Sequence, residues 1–197
     1  MKNLLCYILF LLITPIGLKS QELSGGEWRK LVSFLEDEDW TESAKLSRQY
    51  LDKITDKNSA DRARLVYLRM FSLAGEVTKD TKTFDDIEQE CKTYIGEHII
   101  TPGHPVKTDD KGSKMNFVVL DENKPNEVFI GAANKKGVNV HSFENITLVD
   151  SIQDIKSYDG AFAYCWGTLR DVEIHRSPLK IWILKLTIED GHIEKME

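Results

Sequence analysis

Residues 99–105 read Ile-Ile-Thr-Pro-Gly-His-Pro, and this stretch divides the chain into two vocabularies. Pro102, Gly103 and Pro105 bar a helix, because proline has no amide hydrogen and glycine is entropically costly to order. With the polar run from Thr108 to Lys114 behind it, the segment 98–114 reads as a linker or surface loop. Upstream, from Glu27 to about Ile95, apolar residues recur at helical spacing. Downstream of Met115 they alternate as in strands. The expected fold is therefore α+β. Four helices in antiparallel hairpins would occupy 21–97, and a small antiparallel β-barrel or curled sheet of about six strands would occupy 115–197.

The first helix places Trp28, Leu31, Val32 and Leu35 on one face. Asp39, followed three residues later by Glu42, is a capping-box-like start for the second, whose stripe is Trp40, Ala44, Ser47, Leu51 and Ile54. Ser59 opens a third, with Ala63, Tyr67, Met70, Ala74 and Val77 on one face. Thr83 and Asp86 open a fourth, carrying Phe84, Ile87, Cys91, Tyr94 and Ile95, and Gly96 stops it. The pairs 27–38/40–54 and 59–77/83–95 form two helical hairpins. The acidic run Glu36-Asp37-Glu38-Asp39 lacks the twelve-residue ligand spacing of a calcium loop and marks a helix junction.

The run Asp39-Trp40-Thr41-Glu42-Ser43-Ala44, together with Gly75, resembles the tetratricopeptide-type repeat. It departs from that pattern at Ser43, in the position of the small residue, and at Phe84 and Ile87 in the second unit. Two units are also fewer than the three that usually make a stable stack. The resemblance implies a helical surface that takes a protein or peptide.

In the second half, Phe117–Leu120 is a short apolar strand ended by the turn-rich Asp121–Asn126. Asn134–Gly137 reads as a hairpin loop between apolar runs at 128–130 and 138–140, and 146–149 is a further strand. Residues 161–172 alternate, with Phe162, Tyr164 and Trp166 on one face and Ala161, Ala163, Cys165 and Gly167 on the other. Residues 180–188 place Trp182, Leu184, Leu186 and Ile188 on one face, after a turn at His175–Pro178. The stretch Cys165-Trp166-Gly167-Thr168-Leu169-Arg170-Asp171-Val172 is similar to the glycine-bearing strand of OB-type barrels.

At the N-terminus, Met1-Lys2-Asn3 is a short basic start and Leu4–Ile13 an unbroken apolar run, ended by Thr14-Pro15. Ten apolar residues are too few to cross ~30 Å of hydrocarbon, so 1–20 reads as a secretory signal peptide cut after Ser20. The expected location is periplasmic or secreted, with no membrane span after cleavage. The chain has 197 residues and a net charge of −6, from 26 Lys+Arg against 32 Asp+Glu. That acidic balance, present in both halves, excludes the basic path that a nucleic-acid groove needs. Taken whole, the chain resembles uncharacterised small envelope proteins that bacteria export, a likeness that brings no activity with it.

No phosphate-binding glycine loop, G-x-S-x-G elbow, H-E-x-x-H or C-x-x-C motif occurs. His98 and His104, the only histidines close in sequence, read as loop residues, and neither a metal nor a cofactor is expected. Cys91 and Cys165 remain after signal cleavage and are candidates for a disulfide; each also sits on an apolar stripe, where a free thiol acts as a small hydrophobe. Tyr164, Trp166 and Trp182 are candidates for a ligand-binding aromatic platform, with core packing as the competing role. Glu173 and His175 are the pair a hydrolase would use. The leading expectation is a non-catalytic interaction module for a protein or peptide partner in the envelope. Small-ligand or glycan binding on the β unit, and hydrolysis, are the alternatives.

Overall fold

The helical spacing and its polar caps produce α1 (Gly25–Glu36), α2 (Trp40–Lys53), α3 (Ala60–Thr78) and α4 (Phe84–Lys92). The computed structural model describes residues 22–108, 115–180 and 182–196. The expected signal segment 1–20, with its cut, lies outside the described residues, as does most of the polar run 108–114. Asp39 caps α2 by accepting the Glu42 amide hydrogen at 3.2 Å. Thr83 and Asp86 form a reciprocal capping box on α4. A second box, Ser24 with Glu27, starts α1 at Gly25, two residues before the first one expected. Each box satisfies amide donors that a helix start leaves without a partner.

Helix α3 is the centre of this half, with Leu65, Val66, Met70, Leu73 and Ala74 fully buried. Arg69 clamps the helices together. Its Nε and Nη2 donate to the two Glu90 oxygens of α4 at 2.7 Å each, and its Nη1 donates to the Ala44 carbonyl of α2.

The seven strands are β1 (His98–Ile100), β2 (His104–Lys107), β3 (Phe117–Asp121), β4 (Lys124–Ala133), β5 (Val140–Leu148), β6 (Phe162–Ile174) and β7 (Trp182–Lys195). They form one mixed sheet. Two expectations are corrected. Residues 98–107 of the supposed linker form β1 and β2, because prolines bar a helix without barring a short strand. Val106 still donates to the Ala161 carbonyl at 2.8 Å, and His104 therefore lies buried on a strand rather than in a loop. The sheet is also not antiparallel throughout, since β2 pairs with β3 and β5 with β7 in parallel. The second parallel pair arises because β6 and β7 form a long antiparallel hairpin that returns beside β5. The connection from β5 to β6 carries a 3-10 turn at Ile155–Tyr158 that makes the crossover. On its other edge β6 takes β1 and β2 in succession. The pairings thus run β2–β3–β4–β5–β7–β6 and return to β2.

Gly167 sits where the β6–β7 register shifts. A Cβ there would lie 2.7 Å from the Glu189 carbonyl oxygen, so the close approach of the two backbones requires glycine. The halves share one core, in which α3 packs on β1 and β5 and α4 on β6. Arg62 of α3 grips Glu97, at the start of β1, with bonds of 2.8 and 2.7 Å.

Candidate functional site

On α3, Arg64, Tyr67, Leu68 and Phe71 fall at i, i+3, i+4 and i+7 and so share one face. That face does not meet the sheet completely. It roofs a partly open cavity of about 250 Å³, lined by Leu35 of α1, Trp40 of α2, Ile100 of β1, His104 of β2 and Ala132 and Ala133 of β4. Val32 and Leu35 belong to the α1 stripe read from the sequence, and here they are only half-buried because they border this space. Sheet register aligns the floor. His104 is level with Asn116, two residues before Val118 in the parallel β2–β3 pair, and the Asn116 side-chain oxygen accepts from the Ala133 amide at 2.9 Å.

The polar atoms around the cavity divide into engaged and unengaged. The Asn134 side-chain oxygen accepts from the Val138 and Asn139 amides at 2.9 and 3.1 Å, holding the β4–β5 loop. The Thr101 hydroxyl accepts from the Cys165 amide at 3.0 Å. The Tyr67 hydroxyl donates to Glu144 Oε1 at 3.0 Å. By contrast, both ring nitrogens of His104 and the Nε of Arg64 are buried with no hydrogen-bond partner among the described residues. His104 is 8% exposed, and burial alone pulls its pKa down to about 4, which keeps the ring neutral.

Behind the cavity wall lies a buried polar cluster. Ser142 and Tyr67 both donate to Glu144, whose second oxygen has no partner among the described residues. Burial raises the Glu144 pKa to about 7, against the smaller opposing effect of those hydrogen bonds. His141, skipped by the β4–β5 register at a bulge, packs edge-on to Trp40 at 4.6 Å and beside Phe71 at 4.6 Å. Burial lowers its pKa to about 3. The sequence reading missed Glu144, Ser142, His141 and the role of His104. Polar residues in an alternating strand normally mark its wet face, so only the phase that Ser142 and Glu144 share with Ile146 and Leu148 hinted at burial, and nothing did so for His141.

The residues singled out beforehand fall elsewhere. Tyr164 and Trp166 are together on the outer face of β6, 5.5 Å apart, and Trp166 stacks on His192 at 5.1 Å. Trp166 and His192 also border a second cleft of about 470 Å³, lined by Asp150, Asp154 and Lys195 among others. Trp182 is not with them. It stacks on His175 at 3.9 Å and meets Phe143 at 5.7 Å. Ile174, level with Leu184, is eight residues further along β6 than Trp166, or ~26 Å of strand. Glu173 is exposed and takes the Lys185 ammonium at 2.6 Å, so the pair considered for hydrolysis is divided between an ion pair and an aromatic stack. Cys91 and Cys165 are buried free thiols, both pushed well up in pKa by burial. No group of three or more His, Cys, Asp or Glu placed to hold a metal occurs among the described residues. No helix among them is long and apolar enough to cross a membrane.

The main cavity offers apolar surface with a few buried polar atoms, the usual composition of a small-molecule site. Because both His104 nitrogens are unpaired, the imidazole forms no nucleophile–base pair with the Thr101 hydroxyl that shares the wall. No protein-family model, curated protein or solved structure matches this chain.

Proposed function

We propose that this is an exported, non-catalytic binding protein that receives a small, mostly apolar ligand in the cavity between α3 and the sheet. The observation that carries the reading is the cavity itself: about 250 Å³ walled by Leu35, Trp40, Phe71 and Ile100. The space opens to solvent and its lining is mostly apolar, so an apolar ligand that enters it takes that surface out of water. Export is supported by the basic start and apolar run at residues 1–13. The circuit of strand pairings supports reading the sheet as a curled, OB-like barrel that forms the floor.

The test is binding of naphthalene, a neutral apolar fluorophore small enough for a space of about 250 Å³. It is expected to bind saturably and to lose roughly tenfold in affinity in Ala133→Phe, where the new ring fills the space. Equal binding by the parent and an Ala133→Phe protein of unchanged circular dichroism would remove the cavity as the site.

A second reading, a protein partner, rests on a different observation. Of the large exposed apolar side chains among the described residues, Val138 (64% exposed) and Leu179 (75%) stand on the loops before β5 and β7. Val140 and Trp182 are paired, so both loops lie at one end of the sheet. These exposed side chains support a surface on the β half rather than on the helical hairpins. Crosslinking in cells should lose its main product in the Val138→Asp, Leu179→Asp double variant; an unaltered product would exclude this face.

A further inference from the structure

The unpaired polar atoms specify what the cavity holds, and the inference rests on the cavity reading above. Arg64 is a cation whose Nε–H, normally a strong donor, is buried against the cavity without a partner. Its one ion pair among the described residues, to Asp61, is stretched to 3.5 Å, while Asp61 also accepts the Leu23 amide hydrogen at 2.8 Å. His104 adds a neutral imidazole, nine-tenths buried, with one further N–H that meets no protein acceptor among the described residues. Leaving such donors dry is costly, and the cost falls away when an acceptor arrives with the ligand. A carboxylate suits a guanidinium N–H better than any neutral group, because the hydrogen bond is assisted by charge on both sides. The other polar side chains of the wall do not compete, since the Thr101 and Tyr67 hydroxyls and the Asn116 side-chain oxygen are held within the protein.

Charge also sets the orientation. Arg64 and His104 flank the β2 side of the cavity, while Glu36 and Lys135 line it on the β4 side. The Glu38 carboxylate accepts the Lys135 amide hydrogen at 2.9 Å and fixes that side to the α1–α2 turn. On the β4 side a ligand anion meets charges of both signs, Glu36 and Lys135, whereas Arg64 offers it a cationic N–H that has no partner among the described residues, and the carboxylate is therefore placed there. The apolar walls of Leu35, Trp40 and Phe71 take its body. A cavity of 150 Å³ accommodates benzene, so 250 Å³ fits a ligand of about ten non-hydrogen atoms.

We propose that the cavity binds a small monocarboxylic acid with an apolar body, its carboxylate on Arg64 Nε and His104 and its hydrocarbon part against Trp40 and Phe71.

The experiment compares octanoate, 1-octanol and octylamine by displacement of naphthalene from the purified protein. Octanoate is expected to bind at least tenfold more tightly than 1-octanol, and octylamine more weakly than either. In Arg64→Met, which keeps the aliphatic stem, octanoate should fall to the affinity of 1-octanol while 1-octanol is unchanged. His104→Leu replaces an unpaired ring with an apolar side chain of the same wall and should reduce the preference in the same direction. It serves where Arg64→Met fails to fold. Equal binding of acid and alcohol by the parent, or a preference that survives both substitutions, overturns the carboxylate assignment and leaves the cavity reading intact. Failure of all three to displace the fluorophore, or failure of the fluorophore to bind, brings down the cavity reading as well.

Discussion

Glu144 is a carboxyl group in the interior, bonded to Tyr67 and Ser142, and burial lifts its pKa from the ordinary 4.5 to about 7. Between those values the unfolded chain has released the proton and the folded protein keeps it. Stability from this group is therefore full below about pH 4.5, falls as pH rises through 7, and is level above. Glu144→Gln removes that slope, so its melting temperature should gain on the parent's as pH rises from 4.5 to 7. A difference that stays constant over the interval would show that Glu144 is ionised throughout. His104 and His141 act in the opposite sense. Their folded pKa values, about 4 and about 3, lie below the ordinary 6.5, so they withdraw stability as pH falls from 6.5. None of these roles could be read from the sequence. Glu144 looks like any carboxylate on a half-wet strand until α3 is laid across it, and His104 looks like a loop residue until Pro105 proves compatible with β2.

Helix ends and stripes were legible because their causes are local. Asp39 and Thr83 act on amides three residues away, and Trp40, Tyr67 and Met70 fall on buried faces as their spacing requires. Trp40 also shows how a local motif is completed at a distance. Its ring covers Gly75, where a Cβ would lie 2.3 Å from the indole. The parallel pairings and the second half of β7, from Glu189 to Lys195, were not legible. They depend on which strand lies beside which, and alternation in one strand carries no record of its neighbour. The same holds for the helix clamp. Arg69 is 7% exposed and bound by two oxygens of Glu90 and by the Ala44 carbonyl. Arg69→Ala leaves the half-buried Glu90 with only the more distant Arg48, at 3.6 Å, and frees three helices at once, so it should cost about 3 kcal/mol in urea unfolding. A loss under about 1 kcal/mol would mean that apolar contacts alone hold α2, α3 and α4 together.

At the scale of the molecule, composition and periodicity indicated an α+β chain with helices first, and the structure has that order. The division into helical unit, linker and sheet is less sharp than the change of vocabulary suggested. Ile99 of the supposed linker is fully buried, and the candidate cavity draws its walls from α1, α2, α3, β1, β2 and β4 together. A site assembled from so many elements has no sequence motif, because only its α3 residues Arg64, Tyr67, Leu68 and Phe71 share a helical spacing and the other walls come from elements far apart along the chain. Strand β7 supplies a final consequence. It pairs with both β5 and β6, yet it follows every other element in chain order. While the polypeptide is being made, those two strands therefore wait with unsatisfied edges until residues 182–195 emerge. Loop closure over such separations is slow. The β5 and β6 edges are thus sealed by a strand made after both of them, so neither edge is protected until residues 182–195 have been synthesised.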